Sequence, residues 1–219
     1  MRASARDNIL NRLQAAPRQA VALPDVAAFY AQRPDEESTL RIERLVLNLK
    51  NAMAEVHRTT PAGLAATLAQ LVQEKSLQRI AVGDELLALQ DLCAALQAVC
   101  ALHPVQKVHA EQKALFEEAD AGLTLSHAAI AETGTVVLRS SPQSPRLLSL
   151  VPPVHIVIVD AQRVYDRFFD LMQQEGWAQG LPTNVILVSS PSKTADIQQV
   201  LAYGAHGPKQ LVVILVEAA

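Results

Sequence analysis

Three runs of consecutive apolar residues restrict the possible folds of this chain more than any other feature. They lie at residues 155–159, 184–188 and 211–216, where every position after the opening His155 and Asn184 is Val, Ile or Leu. A strand with one face in water alternates apolar and polar residues, whereas an unbroken apolar run is typical of a strand covered on both faces. Helical patterns at residues 161–174 and 194–201 separate the three runs. This alternation predicts an α/β fold with a largely parallel sheet and flanking helices.

The alternation of strands and helices begins only near residue 55. Before that point, residues 3–15 and 38–54 carry apolar side chains at helical spacing, with an irregular proline-containing connection between them. We therefore predict two parts, an N-terminal helical arm at residues 1–54 and one α/β domain at residues 55–219. The arm is expected to pack on the domain or on a partner chain.

The composition excludes several classes of protein. Half of the 219 residues are apolar, and the formal net charge of −3 lacks the basic footprint of a nucleic-acid binder. No segment approaches the roughly 20 apolar residues that cross a bilayer, and the N-terminus lacks the apolar stretch of a secretory signal. These observations predict a cytoplasmic protein that binds neither nucleic acid nor a membrane, and they leave its oligomeric state open.

The cysteine content argues against a metal cofactor in this chain. Cys93 and Cys100 are the only cysteines, and their spacing in an Ala/Leu-rich stretch predicts two buried thiols on one helix face. Two thiolates do not by themselves hold a four-thiolate iron–sulfur cluster, and no Cys/His set has zinc-finger spacing. We therefore predict no cofactor and no metal site.

One polar loop is a candidate ligand site. It follows the run at 184–188 and precedes a predicted helix that begins near Thr194. Ligands of parallel α/β sheets bind beyond the carboxyl ends of strands, and a helix N-terminus attracts anions. We predict that a small anionic ligand is held here by Ser189, Ser190, Ser192, Lys193 and Thr194. The structural alternative is that Ser192 or Thr194 caps the helix while Lys193 faces water.

Glu132 and His206 are the candidate catalytic residues. Glu132 lies beside Gly134 at a predicted bend between two strands, an unusual place for a charge, and is suited to act as a nucleophile or general base. His206 lies in the turn formed by residues 204–208, where a histidine is suited to acid–base work or ligand binding. The alternatives are a turn carboxylate that accepts local hydrogen bonds and an ordinary surface histidine.

Two arginines and two further histidines have weaker claims. Arg139 and Arg146 flank a Ser/Pro loop and carry the guanidinium groups that bind carboxylate or phosphate, although most exposed loop arginines have no such role. His127 and His155 lie in predicted strands, where a hydrogen-bonded structural role is expected. Together with His206 they lack the helical spacing of metal ligands, which again predicts no metal site.

Four sequence blocks resemble those of a known family. They are residues 129–138 with Glu-Thr-Gly, 150–155 with Val-Pro-Pro-Val-His, 191–197 with Pro-Ser-Lys-Thr-Ala-Asp-Ile, and 204–208 with Gly-Ala-His-Gly-Pro. In order and spacing they resemble the LUD-domain proteins. The resemblance implies a fold like that of the NagB/RpiA/CoA-transferase superfamily. It also implies a role in the oxidation of L-lactate to pyruvate with two partner proteins, which carry the iron–sulfur clusters.

The residues and the resemblance together support three hypotheses. The first is an accessory subunit of an L-lactate oxidation system, working with iron–sulfur subunits. The second is a small-molecule enzyme, similar to CoA-transferase-like or ligase-like proteins, in which Glu132 is the nucleophile or base and the loop with Lys193 holds an acyl, CoA-linked or phosphorylated ligand. The third is an interaction module in which the blocks are structural. The sequence leaves open whether Glu132, His206 and residues 189–194 share one cleft.

Overall fold

The computed structural model describes residues 4–16, 22, 24–34, 36–105, 118–195, 201–204 and 206–218, with the backbone alone at residues 194–195 and 201–203. The chain divides into two compact units, residues 1–34 and 35–219, and each is described by itself.

The first unit contains helices α1 (Ala5–Ala15) and α2 (Val26–Ala31). Ser4 begins α1 through a reciprocal pair of hydrogen bonds with Asp7, which satisfies N–H groups that a helix start leaves unpaired. Asp25 begins α2 in a similar way, because its side chain accepts a hydrogen bond from a backbone N–H of the first turn. These two helices account for the helical pattern near the N-terminus.

A six-stranded parallel sheet is the centre of the second unit. In spatial order its strands are β1 (Glu55–Thr59), β12 (Gln210–Val216), β7 (Val154–Asp160), β4 (Ala121–Leu125), β2 (Arg79–Val82) and β3 (Ala101–Pro104). Every neighbouring pair in this sheet is parallel. The predicted α/β fold with a largely parallel sheet and flanking helices is therefore confirmed.

Strand β7 shows why successive residues of the run at 155–159 are apolar. Ile156 and Ile158 point to one side, into a core formed with helices α4 (Leu64–Glu74), α5 (Asp84–Leu87) and α6 (Gln90–Gln97). Val157 and Val159 point to the other side, into a second core that includes helix α3 (Ser38–Asn51). Because successive residues of a strand face opposite ways, both sets have to be apolar.

A second sheet of four strands packs on the α3 side. Its spatial order is β8 (Val164–Tyr165), β5 (Ala128–Ile130), β6 (Thr135–Arg139) and β9 (Val185–Val188). Strand β6 is antiparallel to both of its neighbours. Helix α7 (Phe168–Gln174) and Trp177 pack on the far side of this sheet, against Ile130 and Val137. The second unit is therefore layered as helices, parallel sheet, mixed sheet and helix.

Two expectations about the C-terminal third are wrong. The run at 184–188 forms β9, a half-buried edge strand of the mixed sheet, rather than a strand of the parallel sheet. The helix expected from Thr194 is absent where the chain is described, because β10 (Lys193–Ala195) pairs antiparallel with β11 (Leu201–Tyr203). Residues 196–200 lie outside the described residues.

Several helix bounds also differ from expectation. The helix expected at 161–174 is interrupted, since a 3₁₀ turn and β8 occupy its first half. The helical stretch with both cysteines ends at Gln97, so that Cys93 lies on α6 and Cys100 lies beyond it. The sequence also predicts a strand at residues 105–108 and a short helix at residues 110–119, but most of both ranges lies outside the described residues.

Helix α3, which the sequence analysis placed in the N-terminal arm, packs in the core of the second unit through Leu45, Val46 and Leu49. The functional boundary expected between residues 54 and 55 stays a prediction. In the ranges that the structure describes, no helix is long and apolar enough to cross a membrane.

The strand order contains a topological switch point between β2 and β4. From β2 the chain moves to β3 at one edge, through helices α5 and α6 on one face. From β4 it moves to β7 in the opposite direction, through β5 and β6 on the other face. Connections that leave neighbouring strands in opposite directions open a crevice beyond their carboxyl ends, which is where α/β proteins bind ligands.

The predicted bend at residues 132–134 is present and is held by α3. Gly134 has a φ of +59°, and a Cβ atom on it would lie 2.6 Å from the Asn48 Cβ. The Asn48 amide in turn donates hydrogen bonds to the carbonyls of Ala131 and Glu132, at 2.9 and 3.2 Å. The turn between β5 and β6 is thereby fixed against the helix.

Gly134→Ala should destabilise the protein by about 2–4 kcal/mol, because it adds both a left-handed alanine and a collision with the α3 backbone. Urea unfolding followed by circular dichroism measures the change. Gly180→Ala is the matched control, since no atom lies within 4 Å of its added Cβ, and it should change stability by no more than about 0.5 kcal/mol. Equal stability of the two variants would contradict the fixed turn.

Candidate functional site

A cleft opens at the switch point. Its lining residues are Glu85, Leu125, Ser126, His127, Arg139 and Arg163, and its volume is about 230 Å³. Glu85 follows β2, while Ser126 and His127 follow β4, so the cleft lies at the carboxyl ends of these two neighbouring strands. We call it the switch-point cleft. Its position is set by the strand order, and its polar character by the loops that follow the strands.

The segment between β4 and β5 is held from both sheets at once. The Ser126 N–H donates to the Ile158 carbonyl of the parallel sheet at 2.8 Å, and the His127 N–H donates to the Val137 carbonyl of the mixed sheet at 2.8 Å. The Ser126 Oγ is buried and has no hydrogen-bond partner among the described residues. A rigid backbone thus presents an unsatisfied hydroxyl at the cleft.

His127 belongs to a network of polar side chains beside the second sheet. Its Nε2 pairs with Glu175 Oε1, and the indole N–H of Trp177 donates to Glu175 Oε2 at 2.9 Å. Arg163 donates to the His127 carbonyl at 2.5 Å and to Glu175 at 3.2 Å. His127 and Glu175 are mostly buried, with 19% and 17% of their side chains exposed. The network fixes the orientation of the imidazole at the cleft.

The charge of Glu175 is favoured by this network. Burial raises the pKa of Glu175. The hydrogen bonds from Trp177 and His127, together with the charges of His127 and Arg139, lower this pKa by a larger amount. The net result is a pKa below the ordinary 4.5. The carboxylate is therefore ionised at neutral pH and accepts the hydrogen bonds of this network.

Arg139 is a cation of the cleft that acts on Glu175 through its charge alone, without direct contact. Its side chain makes no hydrogen bond or ion pair with any residue that the structure describes. It also lines an adjoining cavity of about 390 Å³, together with Glu175, Trp177 and Leu181. Arg139 is the last residue of β6, and its exposed side chain lines both cavities.

The residues of the predicted anion loop make two separate groups of contacts. Ser189 shares a hydrogen bond with Thr135 at 2.7 Å, and Thr135 shares one with Thr133 at 2.7 Å, which connects the loop to the turn that carries Glu132. Ser192 is bonded instead to the turn at 204–208. Its N–H donates to the Pro208 carbonyl at 2.8 Å, its carbonyl accepts from the Gly204 N–H at 3.0 Å, and its Oγ accepts from the His206 N–H at 3.3 Å.

These contacts bring the loop at residues 189–194 beside the turns at residues 132–134 and 204–208. The surroundings of the loop nevertheless give less support to anion binding than the sequence suggested. Because Lys193–Ala195 is a strand, the loop has no helix N-terminus at Thr194, and because β9 lies in the mixed sheet, the loop does not follow a parallel strand. The Ser190 hydroxyl donates to the Pro191 carbonyl at 3.0 Å, and Lys193 is exposed. Ligand binding by Ser189, Ser190, Ser192, Lys193 and Thr194 stays a prediction.

Glu132 lies in the turn that α3 supports. Its N–H donates to the Asp166 carbonyl at 3.0 Å, and its side chain is half-buried. The catalytic roles of Glu132 and His206 stay predictions.

His155 has the structural role expected of it. It is 1% exposed in the middle of the parallel sheet, and its Nε2 shares a hydrogen bond with the Thr124 hydroxyl at 2.9 Å. Its Nδ1 has no partner among the described residues. Burial lowers the pKa of His155 from 6.5 to about 4. Over the described ranges, no group of three or more His, Cys, Asp and Glu side chains is placed to hold a metal ion.

The switch-point cleft was missed by sequence reasoning, which assigned His127 a structural role and passed over Glu85, Ser126 and Arg163. The local signal is only a Ser-His pair after an apolar strand. What identifies it is the position of β4 beside β2, and that neighbourhood is not encoded locally. Arg139, one of the two loop arginines noted in the sequence, does line the cleft.

The fold and the cleft define an α/β protein with a ligand-type crevice at a topological switch point. More particularly, the chain belongs to the LUD domain family, whose model matches residues 42–216. The resemblance seen in the four sequence blocks is therefore confirmed.

Similar proteins extend along nearly the whole chain. An uncharacterized protein of Neisseria meningitidis serogroup B is 34% identical over 97% of this chain and 94% of its own length. A lactate utilization protein C of Macrococcus caseolyticus is 30% identical over 96% of this chain and 93% of its own length. A crystal structure of a DUF162 family protein from Deinococcus radiodurans has a TM-score of 0.60, 21% identity, and coverage of 83% of this chain and 99% of that one, which supports the fold.

Glu175→Gln should lower the free energy of unfolding by about 1–3 kcal/mol at pH 7, because it removes the charged partner of His127 and Arg163. A carboxyl with a lowered pKa stabilises the fold above its unfolded value, and this stabilisation is lost as the pH falls through the folded value. The difference from wild type should therefore shrink below pH 4.5. Urea unfolding at several pH values measures it. An equal cost from Glu85→Gln, at the exposed carboxylate of the cleft, would contradict the network.

His155→Gln should flatten the acid side of the stability profile. With a folded pKa of about 4 against 6.5, the unfolded chain takes up the proton first, so stability from neutral His155 is complete above pH 6.5 and is lost as the pH falls toward 4. The loss amounts to about 3 kcal/mol in wild type. Glutamine cannot be protonated in this range, and its amide can still bond Thr124. The same slope in both proteins between pH 6.5 and 4 would contradict the buried neutral imidazole.

Proposed function

We propose that this protein is an accessory subunit of a system that oxidises L-lactate to pyruvate, working with partner proteins that carry iron–sulfur clusters. The proposal is supported by its relatives, since proteins named lactate utilization protein C match it at 30% identity over 96% of the chain and at 38% over 46% of it. The first of these alignments covers nearly the whole chain. A relative that covers the whole chain is a better guide to biological role than the fold alone.

The single structural observation that carries the proposal is the switch-point cleft. A system that handles lactate and pyruvate has to recognise small carboxylates, and Arg139 offers an unpaired guanidinium at the position where α/β proteins bind ligands. The chain supplies two cysteines, fewer than the four thiolates of a common iron–sulfur cluster. We therefore place the clusters in partner proteins and the protein itself in the cytoplasm.

A second candidate function is an enzyme that acts on an acyl, CoA-linked or phosphorylated small molecule. The observation that favours it is the hydroxyl chain from Ser189 through Thr135 to Thr133, beside Glu132. In that case Glu132 is the nucleophile or base, and Lys193 with the serines holds the anion. Each of the single variants Glu132→Ala and Lys193→Ala should then abolish the rise in melting temperature that such a ligand causes in the wild type. A rise that persists in both variants would contradict this assignment.

A clean deletion of the gene in its host organism should abolish growth on L-lactate as sole carbon source and leave growth on pyruvate intact. Growth on pyruvate is the control for general fitness, and wild-type complementation is the control for the deletion. Affinity purification of the full-length protein from lactate-grown cells should recover iron-containing partner proteins. Normal growth of the deletion strain on L-lactate, with no second LUD-domain protein present, would contradict the proposal.

A further inference from the structure

We propose that the switch-point cleft binds a short-chain monocarboxylate that carries a hydroxyl or keto oxygen on the carbon next to the carboxylate. This deepens the proposed function and rests on it in one respect, the choice of lactate and pyruvate as probes. The site itself is argued from the described residues of the cleft, and it differs from the predicted anion loop at residues 189–194.

The first step is that the guanidinium of Arg139 has unused hydrogen-bond donors within the described part of the chain. Arg163, the other guanidinium of the cleft, is already bonded to Glu175 and to the His127 carbonyl. Arg139 has no such partner in the described part of the chain, although it lines the same cleft. A guanidinium presents parallel N–H donors that match the two oxygens of a carboxylate. Arg139 is therefore the group that anchors the ligand.

The second step is the charge balance, which limits the ligand to one negative charge. The cationic side chains at the cleft are Arg139 and Arg163, and the nearby carboxylates are Glu85 and Glu175. Arg163 is already bonded to Glu175, which leaves Arg139 as the cation without a hydrogen-bonded partner among the described residues. A polyanion such as a nucleotide or a CoA ester would meet the two carboxylates without enough positive charge to offset them. A monocarboxylate needs only the guanidinium that is not already paired.

The third step is the Ser126 hydroxyl. Its Oγ is buried with no hydrogen-bond partner in the described ranges, yet the residue lines the cleft. An unsatisfied buried hydroxyl costs about 1–3 kcal/mol, and a ligand oxygen that bonds to it removes this cost. The backbone of Ser126 is bonded to the Ile158 carbonyl, which holds this residue at the end of β4. An oxygen beside the carboxylate is the atom of the ligand that would satisfy it.

The fourth step is size. The cleft has a volume of about 230 Å³, whereas pockets for drug-sized ligands have about 300–1,000 Å³. A short-chain acid fits this volume, and it leaves His127, held by Glu175, beside the ligand. The combination of one free cation, one free hydroxyl and a small volume defines the chemical class of the ligand.

The test is direct binding to the full-length protein. Trp177 is the only tryptophan, and it lies in the adjoining cavity that Arg139 and Glu175 also line. Its fluorescence, checked by isothermal titration calorimetry, should report saturable binding of L-lactate or pyruvate. Propanoate, which lacks the second oxygen, should bind more weakly, and inorganic phosphate should not bind. Saturable binding of phosphate without binding of the carboxylates would overturn the ligand class.

Variants locate the site. Arg139→Gln should weaken binding of the preferred acid by about 10- to 100-fold, as expected for the loss of a charge-assisted contact. Arg146→Gln is the matched control, because it removes an exposed arginine seven residues further along the chain that does not line the cleft. It should leave the affinity unchanged. Equal weakening in both variants, or none in Arg139→Gln, would overturn the assignment.

Ser126→Ala tests the second contact. It should reduce the preference for L-lactate or pyruvate over propanoate, while binding of propanoate itself is kept. Because both Arg139 and Arg146 are exposed, their variants should melt with the wild type, and a thermal scan confirms that binding is compared between folded proteins. An unchanged preference in Ser126→Ala would remove the hydroxyl from the site.

The outcomes separate the cleft from the biological role. If the deletion strain fails on L-lactate but the purified protein binds none of the acids, the cleft assignment is wrong and the proposed function stands. If the acids bind and Arg139→Gln loses them while the deletion strain grows normally, the cleft assignment stands and the proposed function is wrong.

Discussion

Two residues, Ser126 and His127, connect strands that belong to different sheets, and the rest of the structure depends on this crossing. The first donates its N–H to the parallel sheet and the second donates to the mixed sheet. With so short a connection, β4 and β5 must lie close, and the two sheets are held face to face over a shared apolar core. The same crossing places a hydroxyl and an imidazole beyond the carboxyl end of β4. Architecture and candidate chemistry thus have one origin.

Helix α3 contributes to the apolar core between the parallel sheet and the mixed sheet. Leu45 and Leu49 are fully buried between the two sheets, and Asn48 reaches the carbonyls of the turn after β5. A glycine is required at that turn because the helix backbone leaves no space for a Cβ atom. The Glu-Thr-Gly block therefore has a structural reason to exist that is independent of chemistry at Glu132. This is the main ground for placing the ligand inference elsewhere.

The sequence predicted the fold class well because burial on both faces is written into the strands themselves, as in residues 155–159. It predicted the bend at Gly134 because a turn is a local property. It did not predict that residues 185–188 join a different sheet, because an apolar strand reads the same in either sheet and only its partners decide. The switch-point cleft was hidden for the same reason. Glu85, Ser126 and Arg163 are distant in sequence, and only the order of the strands makes them neighbours.

The pairing of β1 with β12 has a consequence for how the protein is made. Among the described strands, β1 is at the edge of the sheet and has β12 as its only neighbour, with Glu55 beside Val212. During synthesis on the ribosome, β1 emerges long before the strand that it pairs with. Its N–H and C=O groups stay in water until β12 has been made, because this non-local pairing closes a long loop. The first strand of the sheet in the sequence is therefore among the last of its strands to be paired.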